Sequence, residues 1–206
     1  MLKMCQKIYL PFKCFLDFLF ALIAILILLP LIIVLSIIVK CTSKGPILFK
    51  QERIGKNLKH FKCLKFRTMR IDAPSNIPTH LLNNPDAYIT KAGRFLRKTS
   101  LDELPQLFNI LILQMSFVGP RPALYNQDDL MDYRKKNGSY MLRPGLTGYA
   151  QVNGRDTISI EEKSKLDGIY FKKFSFWFDI KIFFSTFIKV FKEENVEEGA
   201  HEYGNK

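Results

Sequence analysis

Between Phe18 and Val39 the chain reads FLFALIAILILLPLIIVLSIIV, twenty-two residues of which only Pro30 and Ser36 fall outside the apolar set. A run longer than roughly eighteen apolar residues is a membrane segment before it is anything else. A cleaved signal peptide does not fit, because the apolar core is too long and KCTSKGP follows in place of a small-residue cleavage site. As a straight helix the run rises roughly 33 Å against a hydrocarbon core of about 30 Å, enough to span.

Two features point to a second arrangement. Pro30 lacks an N–H and its ring clashes with the preceding turn, so it divides the run into pieces of twelve and nine residues, each too short to cross alone. The flanks are basic on both sides, Lys3, Lys7 and Lys13 before and Lys40, Lys44, Lys50 and Arg53 after, whereas a spanning helix concentrates Lys and Arg on its cytoplasmic side. A helix-break-helix hairpin that dips into one leaflet and returns satisfies both features. Proline also occurs in ordinary membrane helices, so the residues alone leave spanning and re-entry open.

The remainder must work beside that segment with a strongly basic surface: 31 Lys and Arg against 19 Asp and Glu give a formal charge of +12. Partners of the opposite sign are nucleic acid, acidic lipid head groups and phosphorylated metabolites. The apolar run argues against nucleic acid. Cys5, Cys14, Cys41 and Cys63 form no C-x-x-C pair and have no histidine cluster nearby, so neither disulfides nor zinc are expected. In KFSFWFDIKIFFSTFIKVFK, residues 173–192, Lys181, Ser185, Lys189 and Lys192 share one helical face while Phe183, Phe184, Phe187, Ile188 and Phe191 cover the rest. That pattern suits a helix lying in the membrane interface, or one packed on a soluble core. The acidic, polar residues 193–206 read as a frayed tail.

Between the two membrane signals, residues 40–70 hold ten Lys or Arg and one acid, Glu52. PILFKQER, IGKN and LKHFKCLKF read as a β-hairpin around a Gly-containing turn, and its cations suit a surface facing anionic lipid. Residues 71–90 are rich in Pro, Asn and Asp and read as a loop long enough to form a lid. Leu104, Leu107, Phe108 and Leu111 then give helical spacing over about Ser100 to Gln114, stopped before GPRP.

The head of that helix is SLDELPQ, residues 100–106, with Asp102 and Glu103 adjacent. Ser100 and Glu103 have the spacing of a capping box, and acids in a first turn complement the helix dipole; Pro105 fits better if the helix starts nearer Leu101 or Asp102. Arg94, Arg97 and Lys98 precede the acids, Arg121 follows in GPRP, and RPGLTGYAQVNGR adds Arg143 and Arg155. Acids among arginines on loops and helix ends are the composition of a site for Mg²⁺ and a diphosphate. No Walker or G-x-G-x-x-G pattern occurs.

Several long motifs in order, FLDFLFALI, GPILFKQERIGKN, KCLKFRTM, TKAGRFLRKTSLDELPQLFNI, MSFVGPRP and RPGLTGYAQVNGR, resemble the bacterial sugar transferase family of monotopic phosphoglycosyl transferases. The resemblance implies transfer of a sugar phosphate from a UDP-sugar to undecaprenyl phosphate with release of UMP. It places the family's Asp-Glu dyad on Asp102 and Glu103, with Asp102 as nucleophile and metal-binding residue and Mg²⁺ as cofactor. Glu103 is left to orient the metal or Asp102, or to cap the helix. Phosphate and nucleotide contacts carry over to Arg97 and Arg121, with Lys65, Arg67, Arg143, Gln151, Asn153 and Arg155 as further binders. The family's re-entrant bend matches Pro30.

The sequence departs from that pattern where Leu29 replaces a Ser before the bend and where ILQMS replaces KGDMS, putting Ile112, Leu113 and Gln114 in place of Lys, Gly and Asp. The second departure motivates an alternative, a catalytically weak or silent membrane scaffold. The expectation is a mainly helical α+β protein: a re-entrant hairpin over residues 1–40, a β-hairpin and interfacial amphipathic helices around a cytoplasmic catalytic domain over 41–192, and a polar tail over 193–206. Without a multispanning N-terminal region it reads as a small, core-only member. The expected location is the cytoplasmic face of the bacterial inner membrane, with UDP-sugar, undecaprenyl phosphate, anionic lipid and downstream glycosyltransferases as partners.

Overall fold

The structure is a computed structural model and describes residues 3–74, 85–154 and 158–191. Its first element, α1 (Met4–Thr42), begins well upstream of the apolar run and continues through Pro11 and Pro30. The expected division at Pro30 is therefore not an interruption: the helix-break-helix is one continuous helix, with no glycine in it to weaken it further. Pro30 is exposed, on the face turned away from the rest of the chain. A proline ring opens the face it occupies, so the bend it favours closes toward the domain.

What holds α1 is a stripe along nearly its whole length. Gln6, Lys13, Asp17, Ala21, Ile25, Ile32, Leu35 and Val39 are buried at steps of three, four or seven residues, the repeat of one helical face. Ala21 and Ile25 join Phe61, Cys63, Leu107, Ile110 and Met115 in one apolar cluster, and Ile32, Leu35 and Val39 join Phe66 and Leu96 in another. The opposite face, including Phe15, Leu26, Ile27 and Val34, is exposed. By length and composition α1 is apolar enough to cross a membrane.

Lys13, one of the basic flanking residues, is not on that outer face. Its ammonium lies 2.6 Å from Asp179, which also accepts from Tyr9 Oη at 2.8 Å and Tyr170 Oη at 2.6 Å. A buried lysine requires such a partner, and this one ties the start of α1 to the last helix.

The hairpin forms as expected. β1 (Leu48–Ile54) pairs antiparallel with β2 (His60–Phe66) in the register Leu48↔Phe66 to Ile54↔His60. Then come α2 (Lys91–Lys98), a 3₁₀ turn at Leu101–Glu103, α3 (Gln106–Leu111), β3 (Ser116–Val118) and β4 (Ala123–Leu124). They are followed by α4 (Asp128–Asn137), β5 (Gly145–Thr147), α5 (Ile160–Lys173) and α6 (Phe176–Phe191). β4 extends the hairpin on the β1 edge, and β3 pairs parallel with β5. That second contact needs glycine: a Cβ on Gly145 would stand 2.1 Å from the Gly119 nitrogen.

The expected helix over Ser100–Gln114 is corrected to the 3₁₀ turn followed by the six-residue α3. Pro105 explains the division, since its missing N–H is harmless only at a helix start. Ser100 is not a cap; it is left-handed (φ 56°) and makes no side-chain capping bond. On α6, Ile182 is buried and Phe183 packs on the core, while Trp177, Phe184, Phe187 and Ile188 are exposed. The Phe191 side chain, Lys192, the tail over 193–206 and the centre of the expected lid, residues 75–84, lie outside the described residues.

Candidate active site

Lys65, near the end of β2, faces the 3₁₀ turn that carries both acids. Its ammonium donates to Glu103 Oε1 at 2.6 Å and lies 3.9 Å from Asp102 Oδ2. Asp102 is only 8% exposed. Burial pushes its carboxyl up to about 6, with Glu103 adding to the rise, while Lys65, Arg97 and Arg121 pull it down without cancelling it. A carboxylate poised this way is ionised at neutral pH yet more basic than an exposed one.

The turn is placed by its apolar neighbours. Leu101 and Leu104 pack against Ile32, Leu35, Val39, Phe66 and Leu96, so the two acids sit on a turn whose greasy flanks rest on α1. The left-handed Ser100 lies between α2 and the turn. α3 is fastened to β2 by Asn109, which accepts from the Leu64 N–H at 2.9 Å and donates to the Lys62 carbonyl at 2.9 Å.

Arg97 occupies the last turn of α2, and its Nε donates to Thr68 Oγ1 at 2.9 Å. Thr68 is also the contact that seats α2: its carbonyl accepts from the Thr90 N–H at 3.0 Å, and Thr90 caps α2 through the Gly93 N–H. A Cβ on Gly93 would lie 2.0 Å from the Thr68 oxygen. Arg121 follows β3 in GPRP, a loop held where the Gly119 N–H donates to Thr147 and the Gly145 N–H to Pro120, both at 2.9 Å.

The fold thus gathers Asp102, Glu103, Lys65, Arg97 and Arg121. Other sequence candidates are engaged elsewhere. Arg67 is buried and donates through Nη2 to the carbonyl and hydroxyl of Ser43 at 2.7 Å each, holding the end of α1. Arg143 donates to the Leu113 carbonyl at 2.7 Å and contacts Cys14 Sγ on α1. Gln151 donates to the Leu146 carbonyl at 3.0 Å and Asn153 to Tyr149 at 2.7 Å. Arg155 lies outside the described residues.

Two residues escaped the sequence reading. Thr68 had no distinguishing mark beyond its place in KFRTM, but Asn109, a polar residue at a core position of LFNI, could have been found as an exception to the apolar pattern. Among the described residues no three His, Cys, Asp or Glu side chains converge. Two adjacent carboxylates are what Mg²⁺ uses when substrate phosphates and water complete its shell. Buried carboxylate, ammonium and two guanidinium groups together form a site where a negative diphosphate can be held and attacked at phosphorus.

The chain matches the family model for bacterial sugar transferases over residues 8–193. It is similar to the UDP-glucose:undecaprenyl-phosphate glucose-1-phosphate transferase of Klebsiella pneumoniae, 41% identical over 189 residues that cover 87% of this chain and 40% of the relative. The exopolysaccharide production protein ExoY of Rhizobium meliloti is 38% identical over 185 residues, 82% of this chain and 81% of the relative. The undecaprenyl-phosphate galactose phosphotransferase of Salmonella typhimurium is 40% identical over 157 residues, 69% of this chain and 33% of the relative. The chain spans about 40% or less of the Klebsiella and Salmonella proteins.

Proposed function

Because the chain belongs to the bacterial sugar transferase family, we propose that it is a phosphoglycosyl transferase that moves a sugar phosphate from a UDP-sugar to undecaprenyl phosphate. The observation that carries this reading is Asp102, a buried, basic carboxylate among Lys65, Arg97 and Arg121 on a turn packed against the apolar α1. A soluble sugar nucleotide and a lipid phosphate at head-group level can meet at such a place.

In the first step an Asp102 carboxylate oxygen forms a bond to the β-phosphorus of the UDP-sugar. The bond from that phosphorus to the oxygen bridging the α-phosphate breaks, and UMP leaves with the electron pair. In the second step an oxygen of undecaprenyl phosphate forms a bond to the same phosphorus, the aspartyl O–P bond breaks, and Asp102 returns as a carboxylate. Lys65, Arg97 and Arg121 offset the charge that gathers on the phosphoryl oxygens. Glu103 holds the Lys65 ammonium in place, which gives the second acid of the dyad a positioning role.

Mg²⁺ belongs to the proposal: Asp102, with Glu103 beside it, would hold it together with substrate phosphates, and it would supply charge neutralisation on the diphosphate. The location proposed is the cytoplasmic face of the inner membrane, with α1 re-entrant. Support comes from its attachment at both ends, through Gln6 to the Phe171 carbonyl at 3.0 Å and through Ser43 to Arg67. A helix held along its length leaves only its outer face for lipid, which suits one leaflet better than both. The product would prime exopolysaccharide, capsule, O-antigen or glycoprotein glycan assembly by later glycosyltransferases.

The test uses the full chain in lipid nanodiscs containing undecaprenyl phosphate, with Mg²⁺ and a panel of UDP-sugars. The expected result is UMP release with one or a few sugars and, without acceptor, a protein mass raised by one sugar phosphate on the peptide bearing Asp102. A mass increment with no acceptor turnover would support the first step alone; no UMP and no increment with any sugar would overturn the reading in favour of a scaffold.

A further inference from the structure

α3 is apolar on two faces. Leu107 and Ile110 are buried against Ala21 and Ile25 of α1, while Phe108 on the other side is 36% exposed and leads into a turn where Ile112 is 61% and Leu113 37% exposed. Leu113 is also left-handed, with φ at 59°. A branched residue adopts that conformation at a steric cost that glycine would avoid. A turn that exposes two large apolar side chains and strains one of them is doubly unfavourable in water.

The surroundings say what covers it. Arg143 donates to the Leu113 carbonyl at 2.7 Å and contacts Cys14 of α1, so the turn lies beside the α1 ridge on which Cys14, Phe18 and Leu22 succeed one another at helical spacing. Phe18 and Leu22 are themselves exposed. The turn therefore continues the apolar outer surface of α1, with a guanidinium at its base, the arrangement in which a long cationic side chain reaches the head groups while its neighbours enter the acyl layer.

We propose that the α3–β3 turn, Ile112 and Leu113 with Phe108 behind them, is a second lipid-inserted element that anchors the catalytic turn to the membrane independently of α1. It rests on the membrane location proposed above. Its occupant is the acyl region of the bilayer, and it absorbs the Ile112-Leu113 departure: a tip of Lys and Gly could not enter that layer, whereas Ile and Leu can. Because α3 follows the Asp102 turn directly, inserting its far end fixes the depth of the carboxylate relative to the head groups.

The test places a single tryptophan in the full chain carrying Trp177→Phe, reconstituted in phosphatidylcholine–phosphatidylglycerol vesicles with or without bromine on the acyl chains. Ile112→Trp avoids the strained position, and Leu26→Trp on the outer face of α1 reports on the membrane location itself. The expected result is quenching of both by brominated acyl chains, about twofold or more, with blue-shifted emission. Quenching at position 26 but not at 112 overturns the inserted turn and leaves the membrane location standing; quenching at neither position overturns both. In the Ile112→Trp background, Leu113→Gly is expected to weaken quenching and to raise the melting temperature in detergent; unchanged quenching with unchanged melting would overturn the part assigned to Leu113.

Discussion

Lys65 gives its short contact to Glu103, at 2.6 Å, and stands 3.9 Å from Asp102. The carboxylate proposed to attack phosphorus is thus near a cation without being locked to it. Glu103→Gln removes a like charge from beside Asp102 and frees Lys65 to pair with it, and both changes favour the ionised carboxylate. The acid limb of kcat/KM is expected to move below the value of about 6 set by Asp102, with kcat reduced because a tightly paired nucleophile is weaker. Lys65→Met should move the limb the other way, above 6, and lower kcat by roughly 10²-fold, the scale for loss of one stabilising charge. Identical pH profiles in the two variants would show that Lys65 does not mediate between the acids.

Asp102 also makes a prediction about stability, with a sign opposite to an ordinary ion-paired acid. Its folded value lies near 6, above the ordinary 3.8, so the folded state binds the proton more tightly than the unfolded chain. This contribution is fully present below about pH 4 and is lost as pH rises through 6, at a cost of up to about 3 kcal/mol by proton linkage. Asp102→Asn is expected to abolish transfer while raising the melting temperature at pH 7.5 by up to roughly 6–12 °C. At pH 4 the two proteins should melt nearly together. A variant that melts lower at pH 7.5 would contradict the burial cost.

Thr68 tests whether Arg97 works through its orientation. Thr68→Val keeps the shape and removes the hydroxyl that receives Arg97 Nε, a bond to a charged group worth about 1.5–3 kcal/mol. The expected outcome is a rise in KM for the UDP-sugar of about tenfold with kcat little changed, and a fall in melting temperature of no more than several degrees. Gly93→Ala is a different case, because its Cβ would meet the Thr68 carbonyl at 2.0 Å; it should displace α2 and lower stability and activity together. If Thr68→Val lowered the melting temperature as much as Gly93→Ala, Thr68 would be a packing residue only.

Much of this was legible in the sequence, and the pattern of failure is physical. The hairpin was readable because its apolar and charged residues are bounded by a turn containing Gly55. Arg97 and Arg121 were legible as the basic neighbours of Asp102 in the sequence, whereas Lys65 entered only through a resemblance in ordered motifs, since no local spacing brings it beside Glu103. The turn at SLDELPQ reads as a capped helix because Ser100 and Glu103 fit a capping box, whereas Ser100 is left-handed and makes no side-chain capping bond. Likewise β3 and β5 are too short to announce themselves and exist because Gly119 and Gly145 let two loops touch. Lys13 looked like a membrane flank because its partner, Asp179, lies 166 residues away.

That Lys13–Asp179 pair supplies the last prediction. Asp179 collects Lys13, Tyr9 and Tyr170, and Lys13 and Asp179 are both buried, so removing one member strands the others without water. Lys13→Met and Asp179→Asn should each destabilise by about 3–5 kcal/mol, the range for breaking a buried pair from one side. The double variant should lose clearly less than the sum, with a coupling energy within about 0.5–3 kcal/mol, because neither charge is then left alone. Thermal melting of the four proteins in one detergent measures the cycle. Transfer activity at low temperature should survive in the double variant, since neither residue contacts Asp102. Additive losses would mean that α1 is held to α6 by the aromatic contact of Phe12 with Phe176, and to the segment before α6 by Tyr9 with Phe174, and that the charges are passengers.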